Sequence, residues 1–216
     1  MDLNETTTGK FARRTPTHIF LLWFAFIGSL LFNVIYFSFG AISTHYDMMR
    51  QPISDLELLR HGWIQSINFV IFGSSVCAFG LALRIEMQQG LIAALLPLLH
   101  WLTGLALILA GVFIHDPVHI IALTMSFIAV LISFVLFAIS LWGKPRWKGW
   151  AIYTIISIML MILFAGRFIY CEMQDRPYTG IFERLVVVTR LVWVVFFILK
   201  LFDGRRLKPA ASALSR

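Results

Sequence analysis

The sequence predicts an all-α fold, a polytopic transmembrane bundle of six helices with both termini cytoplasmic. Three observations lead there. The chain is 59% hydrophobic and only 13% charged, with a mean hydropathy of +0.83, where a soluble domain carries about 25% charged residues. Its apolar residues gather into six long runs, and its charges sit mostly at the ends of those runs or between them. A soluble fold covers its surface with polar groups, so the exterior of this chain is read as lipid.

Crossing roughly 30 Å of hydrocarbon takes about 20 apolar residues in a helix. A polar N-terminal tail, 1–18, precedes the first run at 19–41, and the others follow at 62–83, 91–113, 118–142, 149–171 and 180–202. A basic C-terminal tail, 203–216, ends the chain. Turn-forming residues punctuate the connections: Arg50-Gln51-Pro52, Gln88-Gln89-Gly90, Asp116-Pro117, Gly143-Lys144-Pro145 and Asp175-Arg176-Pro177. None of the runs alternates as a membrane strand would, and a backbone facing lipid must satisfy its own hydrogen bonds, so each run is a helix. The first run far exceeds a signal-peptide core and lacks a small-x-small cleavage site, so the N-terminus is expected to be retained.

Orientation follows from the basic residues. Lys10, Arg13, Arg14, Arg84, Lys144, Arg146, Lys148, Lys200, Arg205, Arg206, Lys208 and Arg216 fall on the side of the two tails. The opposite loops hold Arg50, Arg60 and Arg176, with Arg167, Arg184 and Arg190 inside helices or at their ends. The positive-inside rule makes the first side cytoplasmic, and the expected location is the plasma membrane. The +7 formal charge is thus a topology signal, with no polar, basic surface of the kind that tracks a nucleic acid. Cys77 and Cys171 lack CxxC spacing and frame neither a disulfide set nor a metal site.

Charges inside hydrocarbon cost roughly 2.5 to 3.5 kcal/mol each, so the helical charges call for a partner or a cavity. Arg190 lies near mid-bilayer in the sixth helix, Glu183 sits two turns before it on the same face, Arg184 flanks Glu183, and Arg167 is within snorkelling reach of the interface. Two readings stand: an ion-pair network locking the helices, or a polar pocket whose guanidinium forks hold an anionic lipid headgroup. In the second outer connection, Asp116 and Pro117 suit the N-cap and first position of the fourth helix, while His119 with Asp116 or Asp55 offers acid–base chemistry. His115 and His119 share a face only if helical, and a zinc site would need a third ligand, so no metal or cofactor is expected. Ser54 and Asp55 are read as capping a short helical turn in the first outer connection, with Ser54 also counted, beside Arg167, Glu183, Arg184 and Arg190, as a candidate to bind the ligand. Asn33, Tyr36, Gln65 and Asn68 are read as hydrogen-bonding between helices, and His100 as a buried, satisfied histidine. GxSxG, HExxH, Walker and dinucleotide-turn motifs are absent.

The segments Tyr46-Asp47, Pro52-Ile53-Ser54-Asp55-Leu56, Gly62-Trp63-Ile64-Gln65, Asn68-Phe69, Gly111-Val112-Phe113 with Asp116-Pro117, and Gly180-Ile181-Phe182-Glu183-Arg184-Leu185 occur in the order of a membrane family. The chain resembles, over roughly 19–202, the family catalogued as domain of unknown function 998. That resemblance implies six membrane helices and leaves the activity open. It departs just after Asp116, where His119 follows without the longer Gly-containing stretch of the family pattern. The expected partners are membrane lipids, with an anionic headgroup as the leading ligand; an enzyme acting on a lipid-like substrate and a small transporter are the alternatives.

Overall fold

A computed structural model describes residues 15–87, 90–114 and 116–202. The tail charges from Lys10 to Arg14 and beyond Phe202, the Gln88-Gln89 pair and His115 lie outside the described residues. Among the described residues there are six α-helices: α1 Pro16–Ile42, α2 Trp63–Glu86, α3 Leu91–Val112, α4 Pro117–Trp142, α5 Lys148–Met173 and α6 Thr179–Phe202. Two 3-10 turns, Ile53–Leu58 and Pro145–Trp147, sit in connections, and no strand occurs among the described residues. All six helices are long and apolar enough to cross a membrane.

The ends follow local chemistry. The Thr15 hydroxyl accepts from His18 N at 3.3 Å and Pro16 takes the first turn, so α1 begins before Ile19. The α2 helix continues past Leu83 because Glu86 buries its carboxylate 3.7 Å from His18 Nε2, between α1 and α2. Asp116 Oδ1 accepts from Val118 N at 2.8 Å with Pro117 in the first turn, the N-cap expected from the sequence. A cap of this kind is worth about 1 kcal/mol.

Each helix packs on its predecessor and successor, and α6 returns to α1, closing a ring in chain order. The α2–α3 contact is the most extensive and α1–α6 the sparsest. Glycines allow the α2–α3 approach: Gly73 and Gly104 face each other backbone to backbone, while Gly80 lies under Trp101 and Gly111 under Phe69. Large side chains fill the middle of the ring. Trp193 stacks on Phe197 at 4.8 Å and meets Phe134 at 4.4 Å, and Phe79 and Phe137 complete the cluster. His100 is buried against Phe79 and Phe137, with Nδ1 donating to Leu96 O at 2.8 Å. Outward residues such as Phe20, Leu98, Ile120 and Met159 are exposed, as a lipid-facing shell requires.

Candidate functional site

The connection 43–62 folds back into the mouth of the ring. Ile53 and Leu56, on the 3-10 turn Ile53–Leu58, are fully buried against Phe32, Tyr36, Phe69 and Phe72. Tyr46 donates to Pro52 O at 2.7 Å, and the Gln51 side chain accepts from Asp47 N at 2.7 Å, closing the turn on itself. Burial pushes the Tyr46 phenol up to about 12 against the pull of Arg184.

The first turns of α6 clasp this loop. Gly180 N donates to Arg50 O at 3.2 Å and Ile181 N to Met49 O at 3.3 Å, so amides left over at a helix start are satisfied by loop carbonyls. A Cβ on Gly180 would overlap Gln51 O and lie 2.6 Å from Met48 O, so only glycine permits the approach. Glu183 accepts from Ile53 N at 2.5 Å. Arg184, buried, donates from Nη1 to Gln51 O at 3.1 Å and Gly180 O at 2.8 Å, and from Nη2 to the Tyr46 hydroxyl. Its guanidinium also lies over the rings of Tyr36 and Tyr46 at 5.8 and 5.6 Å. Glu183 and Arg184 thus tie α6 to the first loop; Tyr46 and Gln51 were read from the sequence as a family segment and a turn, not as partners of Arg184.

Arg190 has other company. It is half-buried, eleven residues into α6 and so about 17 Å along it, with its guanidinium 5.1 Å from the Phe72 ring of α2. Among the described residues it has neither a carboxylate nor a hydrogen-bond partner. Gln65 and Asn68 share the Phe72 face of α2. Asn68 Nδ2 donates across to Phe32 O of α1 at 3.0 Å, the interhelical bonding read from the sequence, whereas its bond to Gln65 Oε1 at 3.2 Å stays within α2 and those of Asn33 and Tyr36 stay within α1. Gln65 Nε2, Asn68 Oδ1 and Arg184 Nε are nevertheless buried without a partner. Phe72 stacks on Phe32 of α1 at 4.3 Å, so the Arg190 guanidinium sits where side chains of α1, α2 and α6 meet. Arg184 over Tyr36 closes that seam at the loop end, and Trp23 against Phe202, 5.1 Å apart, closes it at the other. Arg167 lies elsewhere, exposed on α5 with its guanidinium 5.3 Å from both Tyr170 and Phe182. The three guanidiniums of the expected pocket therefore occupy three different surroundings.

Asp55 and His119 come together, and with them Glu57, which the sequence did not single out. His119, on α4, donates from Nδ1 to Ala110 O of α3 at 2.8 Å and sits 3.6 Å from Glu57 Oε2. Burial raises the Asp55 carboxyl above the usual range, while charge coupling to His119 lowers it. Burial likewise lifts Glu57 to about 7. Asp116 is exposed and occupied as a cap, and Ser54 is half-buried on the 3-10 turn. No group of three metal-ligating side chains occurs among the described residues. A cavity of about 230 Å³ opens on the loop face between Arg50, Asp55, Glu172, Asp175 and Arg176.

The sequence matches, over residues 26–200, the family described as Protein of unknown function (DUF998). The chain belongs to that family. The DUF998 match covers all but the first turns of α1 and the end of α6, so the clasp, the α1–α2–α6 junction and the Glu57–His119 pair all lie within it. No curated protein and no solved structure matches this DUF998 chain.

Proposed function

We propose that this multi-pass membrane protein binds an anionic amphiphile, such as a lipid with an acidic headgroup, at the α1–α2–α6 junction, and that Arg190 holds the anion. The observation that carries the reading is a guanidinium near mid-span with an aromatic ring on one side and no counter-charge among the described residues. A charge in that position calls for a partner, and a carboxylate or phosphate fits the guanidinium fork. The sparse α1–α6 seam supplies a lateral route from the lipid.

Native mass spectrometry of the full chain released from nanodiscs tests this. Wild type is expected to retain lipid, Arg190→Gln to lower its occupancy about tenfold or more, and Arg190→Lys to fall between, since it keeps the charge and loses the fork. Wild type without lipid, or undiminished retention in Arg190→Gln, overturns it. An enzyme acting on a lipid-like substrate is the second reading, favoured by the coupling of Asp55 with His119; a bound lipid of altered mass relative to the surrounding membrane supports it.

We also infer that the loop face is non-cytoplasmic and that the protein resides in the plasma membrane. The basic residues of the opposite face support this. A membrane-impermeant maleimide applied to intact cells is expected to label Asp47→Cys, and not Lys148→Cys, above the background of Cys77 and Cys171; the reverse pattern inverts the topology.

A further inference from the structure

Beneath the first loop, on the side of α2 that faces α3 and α4, a carboxylate and an imidazole are buried together. Glu57 is 7% exposed and His119 9%, and Glu57 Oε2 lies 3.6 Å from His119 Nδ1. Because a carbonyl only accepts, the bond from Nδ1 to Ala110 O puts the ring proton on Nδ1 and leaves Nε2 an acceptor. His119 Nε2 and Glu57 Oε1 are both buried without a partner. Two acceptors and no donor is an incomplete arrangement, because buried polar atoms are almost always satisfied.

We propose that Glu57 and His119 form a proton-binding site, separate from Arg190, in which a proton taken up from the loop face resides on the Glu57 carboxyl and turns one orphan acceptor into a donor. The O–H bond forms on the carboxylate as a hydronium ion gives up its proton to become water, and the carboxyl passes from one negative charge to none. The Nδ1–H of the imidazole is already committed to Ala110 O, and the wall beside the pair is apolar, with the Phe69 ring 6.3 Å from that of His119.

The surrounding groups agree. Asp55, on the same 3-10 turn, adds negative charge coupled to His119, and Glu183 of α6 faces that turn through Ile53 N. Ser66 of α2 favours the ionised form of Glu57, and α3 contributes a backbone carbonyl. Among the described residues no Lys or Arg pairs with Glu57. With the carboxyl lifted from 4.5 to about 7, the folded state holds the proton more tightly than the unfolded chain does. Its stabilising contribution is complete below the ordinary carboxyl value and is lost as pH rises through about 7.

Infrared difference spectroscopy of the full chain in nanodiscs, titrated through neutrality, reads the site directly. Wild type is expected to show a protonated-carboxyl C=O band that disappears near neutral pH, that is missing in Glu57→Gln and shifts its midpoint in His119→Gln. The thermal midpoint of wild type should fall over the same interval, and that of Glu57→Gln should stay flat. A wild type with no carboxyl titrating near neutrality, or a titrating band that survives in Glu57→Gln, overturns the proposal. If Glu57→Gln does not fold, Glu57→Asp decides: a midpoint that moves with the shortened side chain supports the assignment, and an unmoved one rejects it.

Discussion

Gly104→Ala is expected to cost about 2 to 3 kcal/mol, while the same change at Gly149 is neutral or stabilising by up to about 1 kcal/mol. Each substitution adds one methyl group to a helix, within α3 at Gly104 and in the first turn of α5 at Gly149, and the sites differ chiefly in what that methyl meets. At Gly149 the new Cβ meets nothing within 4 Å. At Gly104 it lies 2.5 Å from both Gly73 O and Cys77 Sγ and 3.0 Å from Cys77 N. Backbone on both helices must move, and the neighbouring contacts of Gly80 with Trp101 and Gly111 with Phe69 open with it. Interiors packed at crystal density do not absorb such a shift. Thermal unfolding of both variants in one detergent checks this; equal midpoints would show that α2 and α3 do not meet along this face.

Arg184→Gln is expected to release the first loop, at a cost of about 3 kcal/mol. The substitution leaves Gln51 O and the Tyr46 hydroxyl without their charged donor, exposes the faces of Tyr36 and Tyr46 to an emptied site, and strips Glu183 of its neighbouring cation. Arg184→Lys should cost roughly half as much, since an ammonium cannot reach Nη1 and Nη2 partners together. Limited trypsinolysis reads the effect at Arg50 and Arg60, both in the clasped connection. Cleavage that tracks local opening should accelerate about a hundredfold in Arg184→Gln. Unchanged cleavage in that variant would mean that the loop is held by Ile53 and Leu56 alone.

The helices were legible because their signal is local and redundant. Twenty or more consecutive apolar residues leave the backbone one way to satisfy itself in lipid, and each predicted run lies within a few residues of its helix. The largest differences have specific causes: Thr15 and Pro16 start α1 early, and the buried Glu86 keeps α2 going. Asp116-Pro117 was readable as a cap because an N-cap is made within three residues. Charge in the middle of a helix also stands out in one dimension, which brought Arg184, Arg190 and Glu183 forward.

What those charges face was another matter. Arg184 reaches Tyr46 and Gln51 across more than 130 positions, Glu183 reaches Ile53 across 130, and Glu57 meets His119 only because α3 and α4 return past the first loop. Hydropathy is a property of each residue and its neighbours in the chain, so composition and period settle that there are six spans. Which buried polar atom finds a partner depends on side-chain directions on separate helices, and no spacing encodes those. Packing therefore divided the arginines into a latch at Arg184, an aromatic-backed surface group at Arg167 and, at Arg190, a guanidinium over Phe72 with no counter-charge among the described residues, a distinction that exists only once six helices enclose a common interior.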